Sequence, residues 1–144
     1  MNDFMAATHW NRPAGMFFLR TLLGIIFGLQ GYGKVFTYGL WGVYDNAFKP
    51  FEAMMPAWWL VSVLFFTTIV EMIGGLCLVL GIFRRWALAL LAVDLLVVSI
   101  GHGLESPIWD MQHVMPRAIL TGALLLLPAE WDTWVLPKVF ERRA

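Results

Sequence analysis

The chain of 144 residues is 60% hydrophobic and only 14% charged, with a formal net charge of +0 and a mean hydropathy of +0.71. That apolar share exceeds the roughly 45–50% of an average soluble domain, so the surplus faces lipid. The charge balance leaves no basic footprint for nucleic acid, and the single cysteine, Cys77, excludes an intramolecular disulfide and any CxxC redox or zinc motif.

The opening stretch, MNDFMAATHWNRPAG, has no small-residue cleavage site and reads as retained rather than as a signal peptide. The first apolar run, Gly15 to Phe36, exceeds the roughly 20 residues that cross about 30 Å of hydrocarbon. A loop broken by Gly39, Gly42, Pro50 and Pro56 follows, with Phe48 to Met55 as a patch suited to lie amphipathically on the surface. The second span is predicted from Trp58 to Phe83, before Arg84 and Arg85, and the third from Trp86 to Gly103. After the polar connector HGLESPIWDMQH, Pro116 suits the first turn of a fourth, short span over 115–131. The expectation is a single all-α domain over 1–144, an integral membrane bundle of four transmembrane helices.

Arg12, Arg84 with Arg85, and Lys138, Arg142 and Arg143 cluster at alternate connections, and an excess of such residues marks cytoplasmic loops. Both termini are therefore predicted to be cytoplasmic, with the long first loop and the connector outside.

Charged side chains at the centre of a membrane helix cost at least about 2.5–3.5 kcal/mol and normally turn inward to partners. Arg20, Gly24, Phe27, Gly31 and Lys34 recur at helical spacing and form one internal stripe, with Gln30 beside it. Gly24 and Gly28 form a small-xxx-small pair that lets helices approach closely. Thr67, Glu71 and Gly75 share a face of the second span. If Trp58 and Lys34 both mark the outer boundary, Glu71 and Arg20 lie level, roughly 20 Å deeper, and are predicted to pair. On the third span Asp94 and His102 face the same way about 12 Å apart. The buried polar cluster is thus Arg20, Lys34, Glu71 and Asp94. Its structural alternative is an ion pair that fixes helix order and a lone carboxyl kept neutral by burial.

Near the outer ends, His102, His113, Arg117, Gln30 and Trp109 are ligand candidates together with Lys34. The two histidines lack any accompanying ligand spacing such as HExxH, so neither metal nor haem is expected, and no intrinsic cofactor is predicted. Tyr32, Trp41, Tyr44, Trp58, Trp59 and Trp109 gather near the same boundary. Most suit an interfacial belt, and some suit an apolar pocket for a quinone-like ring, with Lys34 or His102 hydrogen-bonding its carbonyls. Cys77 reads as a packing residue.

The stretches LRTLLGIIFGLQGYGKVF and VEMIGGLCLVLGIFRRWALALLAVDLL resemble the DoxX family of small four-helix bacterial membrane proteins. The most specific pieces are Arg20 with Gly31-x-x-Lys34, and Glu71-x-x-Gly74-Gly75 followed by Gly81; the block from Gly101 to Pro128 resembles a subset of the family. The resemblance implies a multi-pass protein of the bacterial cytoplasmic membrane. It also implies an association with redox chemistry, because relatives include a subunit of an archaeal thiosulfate:quinone oxidoreductase and partners of thiol and superoxide defence. It carries over no catalytic residues.

The leading expectation is an accessory subunit of a membrane redox system, not an independent enzyme, with a small-ligand or quinone pocket opening outward. Its expected partners are the lipid bilayer, a second copy of the chain or a redox-complex subunit. The rival readings are a carrier of small solutes or protons using Glu71 and Asp94, and an assembly factor whose ion pair only holds the bundle.

Overall fold

A computed structural model describes residues 2–105 and 110–136, which are helical almost throughout and include no strand. Helix α1, Asn2–Tyr32, begins well before the predicted start at Gly15 and runs through Pro13. It continues into a π-helical turn, Gly33–Thr37, closed by Tyr38 N–H donating to the Gly33 carbonyl at 3.0 Å. The loop then carries a single helical turn, α2 (Leu40–Val43), a second π-helical turn and a 3-10 turn, Lys49–Ala53.

Helix α3, Ala57–Leu80, starts after extended Pro56 and stops at Gly81, whose φ of 73° ends the helix in the left-handed conformation. Phe83 also has positive φ, 48°, so the chain reverses within three residues and Arg84 already belongs to α4, Arg84–Glu105. The second span thus ends earlier than the predicted Phe83, and both arginines lie in the third helix rather than between the two. Helix α5, Val114–Leu126, holds Pro116 in its first turn. It ends because Leu127, extended at ψ 137°, precedes Pro128, and proline disfavours the helical conformation in the residue before it. The predicted span to 131 is therefore two pieces: α5 and a separate 3-10 turn, Ala129–Trp131.

Helix α1 packs on α3 and α5, α3 on α4, and α4 on α5. The α1–α3 seam is a backbone contact. A Cβ added to Gly75 would lie 2.4 Å from the Gly28 nitrogen, and one on Gly31 2.6 Å from the Met72 nitrogen. Gly24 meets Gly75 and Val79, so the two helices run antiparallel with Gly28 level with Gly75. Leu23, Phe27, Leu78, Leu91 and Leu124 fill the buried interior, with half-buried Cys77 packed against it. At one end, Tyr44 and Phe51 of the loop pack on Leu60 and Leu64 of α3. The patch expected on the surface therefore straps the loop onto the bundle.

Outward faces carry Ile25, Leu29, Ile69, Ile73, Leu96 and Ile100 exposed, a pattern suited to lipid rather than water. Residues 11–37, α3 and α4 are each long and apolar enough to cross a membrane. The 13 residues of α5 rise only about 20 Å, short of the hydrocarbon thickness of about 30 Å. Trp58 and Trp86, exposed at helix starts, stand where indole rings anchor at an interface.

Candidate functional site

Two separate polar clusters lie inside this apolar shell. The deeper one is built on the α1–α3 seam. Because Gly24, Gly28 and Gly31 bring α1 into backbone contact with α3, Lys34 in the π-helical turn arrives beside Thr67 and Glu71. Its Nζ lies 2.7 Å from Glu71 Oε2 and donates to Thr67 Oγ1 at 3.2 Å; Thr67 in turn donates to the Leu64 carbonyl at 3.1 Å. Glu71 is fully buried and Lys34 only 15% exposed.

Asp94 of α4 is fully buried within electrostatic reach of Glu71, Lys34 and Arg117. Neither of its carboxylate oxygens has a hydrogen-bond partner among the described residues, and Glu71 Oε1 and Gln30 Oε1 are likewise enclosed without one. Four helical elements thus contribute to one group: Lys34 follows α1, Glu71 lies on α3, Asp94 on α4 and Arg117 on α5.

The second cluster lies at the opposite end of the seam. Arg20, completely buried, donates from Nε to Asp132 at 3.2 Å and from Nη2 to the Trp134 carbonyl at 2.9 Å. Its Nη1 donates to the carbonyls of Leu78 and Val79 in the last turn of α3. Arg84 reaches Asp132 at 3.8 Å and donates to the carbonyls of Leu124 and Leu127 at the end of α5. Each arginine therefore covers the open carbonyls and the negative dipole end of a helix, and Asp132 neutralises the space between them. Arg12 sits over the Trp131 ring at 4.9 Å on the same side.

This arrangement corrects the expected Arg20–Glu71 pair. Lys34 does not mark the outer boundary with Trp58; it lies about three helical turns deeper, between the levels of Thr67 and Glu71. The glycine contacts set that register, and a boundary argument has no access to them. Arg20 accordingly meets Asp132, which the sequence reading missed. Its only signal was an acid flanked by Trp131 and Trp134 just after the fourth apolar run.

Above the Lys34 group, an apolar cavity of about 280 Å³ opens between the loop, α3 and α4. Phe48, Phe51, Trp59 and Val98 form walls, and Thr67 and His102 bring the side-chain polarity. Of the expected outer-mouth residues, His102 lines this cavity, Lys34 and Arg117 act on the deeper group instead, and Gln30 does not line the cavity. His113 is exposed at the start of α5 and does not line the cavity. Trp109 lies outside the described residues. No group of three or more metal-ligating side chains occurs among the described residues.

A family model described as DoxX matches residues 15–103. The chain belongs to the DoxX family. The DoxX match takes in Arg20, Lys34, Glu71, Asp94 and His102 and stops before Arg117 and Asp132, so the second cluster joins the DoxX region to a segment beyond it. No curated protein and no solved structure matches the chain.

Proposed function

We propose that this membrane protein binds a lipid-soluble, ring-bearing ligand of the quinone class, as an accessory subunit of a redox system in the bacterial inner membrane. The observation that carries the reading is the apolar cavity whose polar side chains, Thr67 and His102, stand above a buried ion pair. Its volume is at the small end for ligand sites, which suits one ring with the tail left in lipid. Phe48, Phe51 and Trp59 offer flat apolar contact, the His102 ring offers a hydrogen bond to a ring carbonyl, and the Thr67 hydroxyl offers one in exchange for its bond to the Leu64 carbonyl. With one cysteine and no cofactor motif, the chain depends on a partner subunit or a mobile carrier for electrons.

In this reading α5 and the segment to Trp131 complete a fourth, thin crossing. Arg12, Arg84 and Arg85 mark the cytoplasmic side, so both termini are inside and the cavity faces outward. Membrane-impermeant thiol labelling of single cysteines placed at Lys49 and Arg85, in a Cys77→Ser background, is expected to modify only the first in intact cells.

The direct test of the ligand reading is thermal unfolding of the purified protein in nanodiscs with decylubiquinone or a short-chain menaquinone, together with analysis of co-purified lipids. A quinone-dependent rise in Tm that His102→Ala and Phe51→Ala diminish is expected. No rise with either quinone, and no quinone in the extract, removes the reading.

A further inference from the structure

Thr67 and Val98 help line the cavity, and one turn deeper on the same two helices stand Glu71 and Asp94. By helical rise Asp94 is about 15 Å from the start of α4 and about 16 Å from its end, so it lies at mid-depth in a helix long enough to span a membrane. There it has no donor among the described residues: Lys34 is committed to Glu71 and Thr67, and Arg117, half-buried on α5, acts only at longer reach.

The two buried carboxyl groups have one cation in contact, Lys34 on Glu71, so Asp94 is left to be neutralised by other means, and a proton is the simplest. A protonated Asp94 also needs an acceptor, and Glu71 Oε1 is enclosed without a partner. We infer that Asp94 and Glu71 form a proton-holding site beneath the cavity, and that filling the cavity changes the number of protons held there.

The coupling follows from Thr67. Its hydroxyl donates to the Leu64 carbonyl while accepting from Lys34, so a ligand carbonyl recruits the hydroxyl only by breaking the bond to Leu64, and the turn of the hydroxyl that this requires moves the lone pair on which Lys34, the lysine that balances Glu71, rests. The groups facing the site are Lys34 from the turn after α1, Glu71 from α3 and Arg117 from α5, so a change at Lys34 alters the charge balance of both acids. The proton comes from or returns to water, with no electron moved in this step. The coupling rests on the quinone reading; the proton-holding site does not.

Infrared spectra of the full chain in nanodiscs test the site by itself. Wild-type protein at neutral pH is expected to show a protonated-carboxyl carbonyl band that shifts in deuterium oxide. The band should be absent from Asp94→Asn, unchanged in Asp45→Asn, which alters an exposed acid of the loop, and displaced in frequency in Glu71→Gln. A wild-type spectrum without such a band, or a band indifferent to both Asp94→Asn and Glu71→Gln, overturns the site. Calorimetric titration with decylubiquinone in two buffers of different ionisation enthalpy tests the coupling. Wild type should give a buffer-dependent binding enthalpy, and Asp94→Asn should bind without that dependence. Binding with a buffer-independent enthalpy in wild type overturns the coupling and leaves the quinone reading standing. Absence of binding overturns the quinone reading and the coupling with it, while the infrared result still decides the site.

Discussion

Replacing Gly75 by alanine puts a methyl group where α3 meets the backbone of α1. The added Cβ would lie 2.4 Å from the Gly28 nitrogen and 2.7 Å from both the Gly24 carbonyl oxygen and the Gly28 Cα. All three obstacles are backbone atoms, so no rotamer change relieves the clash. Ordinary contact begins near 3.4 Å, so the helices must part by about 1 Å. A gap of that size forfeits a quarter to a half of the dispersion energy along the seam. Overpacking of this kind costs about 1–3 kcal/mol, and the rigidity of the neighbours places Gly75→Ala at the upper end. Alanine's better helix propensity returns about 0.5–1 kcal/mol. The net loss is about 2 kcal/mol, roughly 30-fold in the unfolding equilibrium. Equilibrium unfolding of bicelle-embedded protein by dodecyl sulfate, followed by tryptophan fluorescence, measures it. Gly122→Ala is the control, since a Cβ there meets nothing within 4 Å, and it is expected to be neutral or slightly stabilising. A Gly75→Ala protein as resistant as Gly122→Ala would refute the backbone-contact seam.

The buried ions make further demands. Lys34→Met strands Glu71 without its 2.7 Å partner and is expected to cost about 3–5 kcal/mol in the same unfolding assay, whereas Lys34→Met with Glu71→Leu recovers most of the loss. Asp132→Asn leaves Arg20 and Arg84 without their shared carboxylate and is expected to destabilise by a similar amount, about 3–5 kcal/mol, with non-additive effects when combined with Arg20→Met. The Tyr44 hydroxyl donates to Glu52 at 2.7 Å, and that hydrogen bond holds the phenol's pKa above its ordinary 10.0. Because the folded value is the higher one, the loop's hold is complete below pH 10.0 and is lost as pH rises through the folded value. Phenolate absorbance in a Tyr32→Phe, Tyr38→Phe background should therefore rise later than for free tyrosine, and Glu52→Gln should bring it earlier.

Much of the membrane character was legible without coordinates, because lipid imposes its demand on composition and on the length of apolar runs. Three long apolar helices, the inward stripe from Arg20 to Lys34 and the close-packing glycines follow from spacing alone. Helix ends were harder to place: Phe83 is apolar yet lies in the hairpin, since Gly81 and Phe83 take left-handed conformations that hydropathy does not register. Which charges pair was decided only by tertiary structure. Periodicity assigns a residue to a face of its own helix, but the sliding of one helix along another is set by atoms on both. The seating of Gly28 on Gly75 gave Glu71 to Lys34 and Arg20 to Asp132, while the packing of α4 on α3 and α5 left Asp94 enclosed beneath the cavity.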